Sequence, residues 1–75
     1  VLINAIMSSD HRRAAQPLGF GYACYEGEQG AEAFEGVCIG VAPTLIEATA
    51  FLDGEKPALS YMAYEGWQRT DGLVN

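Results

Sequence analysis

Basic side chains are scarce in this chain: four Lys and Arg stand against ten Asp and Glu among 75 residues, with a single histidine beside them. The formal net charge is −6. Nucleic acid and anionic membranes are recognised through basic patches, so neither is an expected partner. Cysteine is also sparse. Cys24 and Cys38 allow one internal disulfide at most, they form no CxxC pair, and no His/Cys cluster suggests structural zinc. No apolar run approaches the ~20 residues needed to span a bilayer. The opening segment Val1–Met7 carries neither a basic n-region nor a cleavage site, so it does not read as a signal peptide. Val1 fits simple loss of an initiator Met, and cytoplasm or a virion is the expected compartment, with the thiols reduced.

The length predicts one domain over residues 1–75. So short a chain buries only about 60% of the surface its unfolded form exposes. Its own core then contributes roughly 3–5 kcal/mol. Disulfide and metal being disfavoured, association with a partner is the remaining aid to stability.

The charge is unevenly placed. Arg12 and Arg13 stand together; from Ala14 to Glu55 there are seven acids and no base. Glu26, Glu28, Glu32 and Glu35 fall within ten residues. A solvated face is the plainer account of this run; attraction of a basic protein surface is the functional one.

The pattern along the chain predicts an α+β fold: a small antiparallel sheet of three to four strands with one short helix packed on it. Val1–Met7 is apolar enough for a first strand. Ser8-Ser9-Asp10 is a turn, and His11–Gln16 suits one helical turn ended by Pro17. Leu18–Glu26 and Phe34–Ala42 both alternate bulky with small residues, and the polar segment between them predicts a β-hairpin. Matching bulky face to bulky face pairs Cys24 with Val37, Tyr22 with Ile39 and Phe20 with Val41. The two cysteines then lie on opposite faces and are not joined. The Gly/Ala face would admit a helix or another backbone.

Thr44 with Glu47 three residues on has the spacing of a capping box. Leu45, Ala48, Thr49 and Leu52 recur at helical spacing, and Gly54 suits a left-handed cap. The same segment also alternates as a strand would, and Asp53-Gly54 is a hairpin signal; helix is the preferred reading. Ala58–Glu65 predicts a further strand, with Trp67 folding back over the sheet edge. Tyr22–Gln29 and Tyr61–Gln68 share Tyr, Tyr, Glu, Gly and Gln in register. The match is short, and a coincidence of strand ends explains it more simply than a repeat.

Catalytic constellations are thin. Ser8, Asp10 and His11 have the residue types of a triad, but adjacent residues do not converge as triad members must. The four glutamates fall outside the spacing of a calcium loop. Gly19-Phe20-Gly21 is no dinucleotide fingerprint. Cys24 and Cys38, in acidic surroundings, read as buried structural thiols. No cofactor is implied. The aromatics are numerous for so small a core, and Tyr and Trp are favoured interface anchors.

These features predict a non-enzymatic protein-interaction subunit, a small structural or assembly component for which a phage or virus particle is a fitting setting. Its contacts are with itself or another protein, through Trp67, Tyr64, Tyr61 and Tyr25 and through Glu26, Glu28, Glu32 and Glu35. The alternative is a small acidic inhibitor of the phage type that mimics nucleic acid and blocks a basic groove. A minimal enzyme is the remote third.

Overall fold

The computed structural model of the chain describes residues 4–62 and 66–69, with the side chains of 61–62 and 66–69 left aside. Six strands form one antiparallel sheet in chain order: β1 (Ile6–Met7), β2 (Arg13–Leu18), β3 (Gly21–Gln29), β4 (Phe34–Ala42), β5 (Leu59–Met62) and β6 (Gly66–Arg69). The helix α1 (Leu45–Leu52) lies between β4 and β5. The α+β class is as expected; the sheet is larger than three to four strands.

The turn between β1 and β2 is built by short polar side chains. Ser8 Oγ donates to Asp10 Oδ1 at 2.7 Å, and Asp10 Oδ1 also accepts from the Arg12 amide at 3.0 Å. The Arg13 amide donates to Ser8 Oγ at 2.9 Å. His11 sits at φ 58 inside this turn. The expected helical turn over His11–Gln16 is therefore absent: the Ser-Asp turn spends those residues on a reversal and β2 follows. Pro17, expected to end a helix, sits within β2. The partner strand β1 reaches only Ala14 and Ala15, so Pro17 lies where β2 is an edge among the described residues. A residue without an N–H is tolerated there.

β2 and β3 are joined through Leu18↔Gly21, leaving Gly19 and Phe20 as a two-residue loop. Gly19, at φ +57, supplies the positive φ that such a tight hairpin needs at its first position. Phe20 is thus a loop tip, not a strand residue opposite Val41.

The β3–β4 hairpin exists, but its register differs from the expected one. Tyr22 faces Ala42, Cys24 faces Gly40, Tyr25 faces Cys38 and Glu26 faces Val37. Ile39 is an extra residue in β4, a β-bulge. The physical reason is the helix. Small residues of β4, not bulky ones, stand beside Cys24 and Tyr22, and that leaves room for α1. A Cβ on Gly40 would run into the Leu59 carbonyl and the Pro57 ring, so this position admits no side chain.

The core clusters Ala15, Cys24 and Ala42 of the sheet with Ala48 and Phe51 of the helix; Tyr22, Ile39 and Leu52 pack around it. Ala14 and Ala23 are buried as well. The helix itself is confirmed at both ends. The Glu47 amide donates to Thr44 Oγ1 at 3.2 Å, and that hydroxyl donates to Glu47 Oε1 at 3.0 Å. At the other end Gly54, at φ +114, donates to the Phe51 carbonyl, and the Glu55 amide donates to the Ala50 carbonyl, both at 3.0 Å. That pair of bonds is a Schellman cap.

Beyond α1, β5 begins one residue after the expected start at Ala58, and 63–65 lie outside the described residues. Trp67 stands in the strand β6 with its backbone opposite Tyr61, where a chain folding back over the edge had been expected. The Tyr61–Gln68 copy of the internal echo spans this reversal, whereas Tyr22–Gln29 runs straight within β3. The two copies are not one structural unit.

Candidate functional site

Arg13 carries the densest polar knot in the described residues. It projects from β2 to the helix side, where its Nη1 donates to the carbonyls of Phe51 at 2.7 Å and Glu55 at 2.6 Å. Its Nη2 donates to Glu26 Oε2 at 3.2 Å, and its guanidinium lies 4.5 Å from the centre of the Phe51 ring. One cation thus ties the end of α1 to β2 and β3. Glu26, expected to be part of an unneutralised acidic run, is neutralised here.

A depression of about 670 Å³ opens beside this knot, between the Ser8–Arg12 turn and the end of α1. Arg12, Arg13, Asp10, Glu26 and Asp53 line it. Its carboxylates outnumber its cations, which disfavours an anion. Asp10 is held below its ordinary range by the Ser8 hydroxyl first, then by the Arg12 amide and charge. The Ser8 hydroxyl and the Asp10 carboxylate are both engaged in the hydrogen bonds of the turn. Among the described residues no group of three or more His, Cys, Asp or Glu gathers to hold a metal.

The thiols are both free. Cys24 is buried under α1, and burial, with the neighbouring Cys38 adding to it against Arg13, pushes it up to about 11. Cys38 is exposed, its Sγ 3.5 Å from the Gly40 carbonyl oxygen. The expectation of two buried thiols is corrected for Cys38. The bulge leaves it opposite Tyr25, on the face away from α1.

Of the expected interface residues, the structure describes the side chains of Tyr25, Glu26, Glu28, Glu32 and Glu35. Glu26 is tied to Arg13. Glu28 and Glu35 are exposed and directly opposite each other near the tip of the β3–β4 hairpin, and Glu32 is exposed in its loop. Tyr25 is half-buried on the sheet face away from α1. Tyr61 and Trp67 are backbone neighbours in β5 and β6, and Tyr64 lies outside the described residues.

Large apolar side chains are exposed at the opposite end of the sheet. Phe20, at the β2–β3 loop tip, is fully exposed at 106%, and Leu18 beside it is 59% exposed. The start of α1 lies at the same end, because Tyr22↔Ala42 closes the β3–β4 ladder there and the helix follows at once. Its first residues, Leu45 and Ile46, are 53% and 82% exposed. Sequence reasoning missed these exposures because Leu18 and Phe20 look like strand interior and Leu45 like the buried stripe of a helix. The available signal was Gly19, whose freedom of φ marks a two-residue loop. Comparison with protein-family models, curated proteins and solved structures finds no match to this chain.

Proposed function

We propose that this chain is a non-enzymatic protein-interaction subunit, a small structural or assembly component of a larger particle such as that of a phage or virus. One observation carries the reading. Among the described residues the fully buried apolar set is five alanines with Cys24 and Phe51, while Leu18, Phe20, Val37, Leu45 and Ile46 face outward. A monomer gains most by the reverse arrangement, since burying a Leu, Ile or Phe side chain is worth about 1.5–3 kcal/mol. Several large apolar side chains left in solvent by so small a core favour burial against another protein. Melting followed over a wide range of protein concentration, at low and high salt, tests the reading. A melting temperature that rises with concentration and persists in high salt supports it. A monomer whose melting is independent of concentration, with no partner recovered from its natural source, removes it.

The second reading, an acidic inhibitor occupying a basic groove, is favoured by one feature. Glu28 and Glu35 face each other across β3 and β4. Like charges directly opposite destabilise a ladder, and a basic partner would relieve that repulsion. Binding to a basic protein that collapses with added salt would put this reading ahead.

A further inference from the structure

We propose that the outer edge of β4, from Phe34 to Cys38, takes up an extended lysine- or arginine-bearing segment of another protein as an added strand. The inference rests on the interaction-subunit reading and names the contact and the kind of partner.

The ladders show where the edge is. β5 pairs with β4 at Gly40 and Val41 and no further among the described residues. The bulge at Ile39 lies at that point, and a bulge is a common way for pairing to end. Phe34–Cys38 is therefore paired to β3 on one side and, among the described residues, has no ladder partner on the other. In a strand, alternate residues turn both N–H and C=O to the same side, so such an edge presents a row of backbone donors and acceptors. Edges are ordinarily blunted by proline, lysine or a covering segment. This stretch contains neither proline nor lysine. Its shape is set from within: a Cβ on Gly36 would meet the Phe34 ring, so that ring lies against the glycine. The other edge of the hairpin is shorter, because β2 pairs with β3 as far as Glu26 and the Gly27 amide donates to the Arg12 carbonyl.

Charge selects the occupant. Glu35 and Val37 share one face of β4, and Val37 is 66% exposed. Glu35 stands opposite Glu28, and no Lys or Arg occurs from Ala14 to Glu55. A second copy added edge to edge would bring its own Glu28 and Glu35 to the same few residues, and like charges across a ladder destabilise it. A strand with a basic side chain beside Glu35 and an apolar one beside Val37 relieves the repulsion and covers the valine. Residues on one face recur at every second position, so the partner segment reads basic, any, apolar. Main-chain bonds supply the affinity of an added strand, and its alternate side chains the specificity.

A blocked threonine peptide with lysine, valine and lysine at its second, fourth and sixth positions is a suitable probe. Amide hydrogen exchange and chemical shifts of the full chain, without and with this peptide, test the inference. In the free chain alternate amides of Phe34–Cys38 should exchange readily. With the peptide they should slow about tenfold or more, and the shifts should centre on the same residues. The peptide with glutamate in place of lysine, and the lysine peptide N-methylated at its central amides, should each bind about tenfold more weakly or worse. Glu35→Lys, at an exposed position, should keep the amide spectrum of the folded chain and reverse the preference between lysine and glutamate peptides. Protection of every Phe34–Cys38 amide in the free chain means that the edge is already covered, and overturns the inference. Failure of the lysine peptide to bind also overturns it, as do shifts centred elsewhere. Binding indifferent to N-methylation overturns it too, and moves weight to the acidic-inhibitor reading. In each of these cases the interaction-subunit reading still stands or falls on concentration-dependent melting, which involves no peptide.

Discussion

Arg13 shows how much one side chain can join. Its donors meet two carbonyls at the end of α1, and hydrogen bonds to a charged group are worth about 1.5–3 kcal/mol in total effect when broken. The ion pair to Glu26 adds little, because Glu26 is half exposed. Arg13→Met should therefore lower unfolding free energy by about 2 kcal/mol in urea titration, while Glu26→Gln should cost well under half as much. The cysteines give a second test. Two thiols should titrate in the unfolded protein, but in the native state Cys38 should react at once and Cys24 only on opening. Cys24 is raised from 9.0 to about 11. A group raised on folding favours the native state fully below its unfolded pKa and loses that contribution as pH climbs through its folded one. Stability should then fall between about pH 9 and 11, and a Cys24→Ala variant should lose that part of the slope. That the cysteines sit on opposite faces was legible from alternation alone. That Cys38 is exposed was not, since the side away from α1 is defined only once the helix has docked.

The helix was the most legible element, because both its ends are written locally. Thr44 and Glu47 mark its start, Gly54 its finish, and no distant contact is needed to see them. Thr44→Ala should cost about 0.5–2 kcal/mol in chemical denaturation. Gly54→Ala should also destabilise, since an L side chain is strained at φ +114. By contrast β2 was hidden. Arg12-Arg13-Ala14-Ala15-Gln16 favours helix by propensity, and only pairing with β1 and β3 draws it into the sheet. The hairpin register was hidden for a similar reason: the bulge at Ile39 answers to the helix lying across β4, a contact far off in sequence. Near the tip, the Glu28↔Glu35 pair predicts its own repair. Glu35→Lys should raise stability by about 0.2–1 kcal/mol, less at high salt.

Across the whole molecule, composition foretold the tension between a small core and abundant apolar and aromatic side chains. It did not foretell where the surplus would go. Tyr25 and the glutamates were legible as candidates because their residue types stand out. The exposed apolar side chains were not, because Leu18, Phe20, Leu45 and Ile46 are ordinary core residues until a loop and a helix start place them outside. The melting temperature should accordingly climb with protein concentration, as differential scanning calorimetry would record.

The strand order matches the chain order throughout, and this bears on how quickly the molecule is made. Each strand has its partner a few residues away, so ring closure is short at every step except one, the passage from β4 through α1 to β5. Local pairing of this kind places a protein toward the fast side of its class. Refolding should be a single exponential whose rate is set by that one longer closure. A chain growing residue by residue could then zip its sheet from β1 onward, without waiting for a distant strand to arrive.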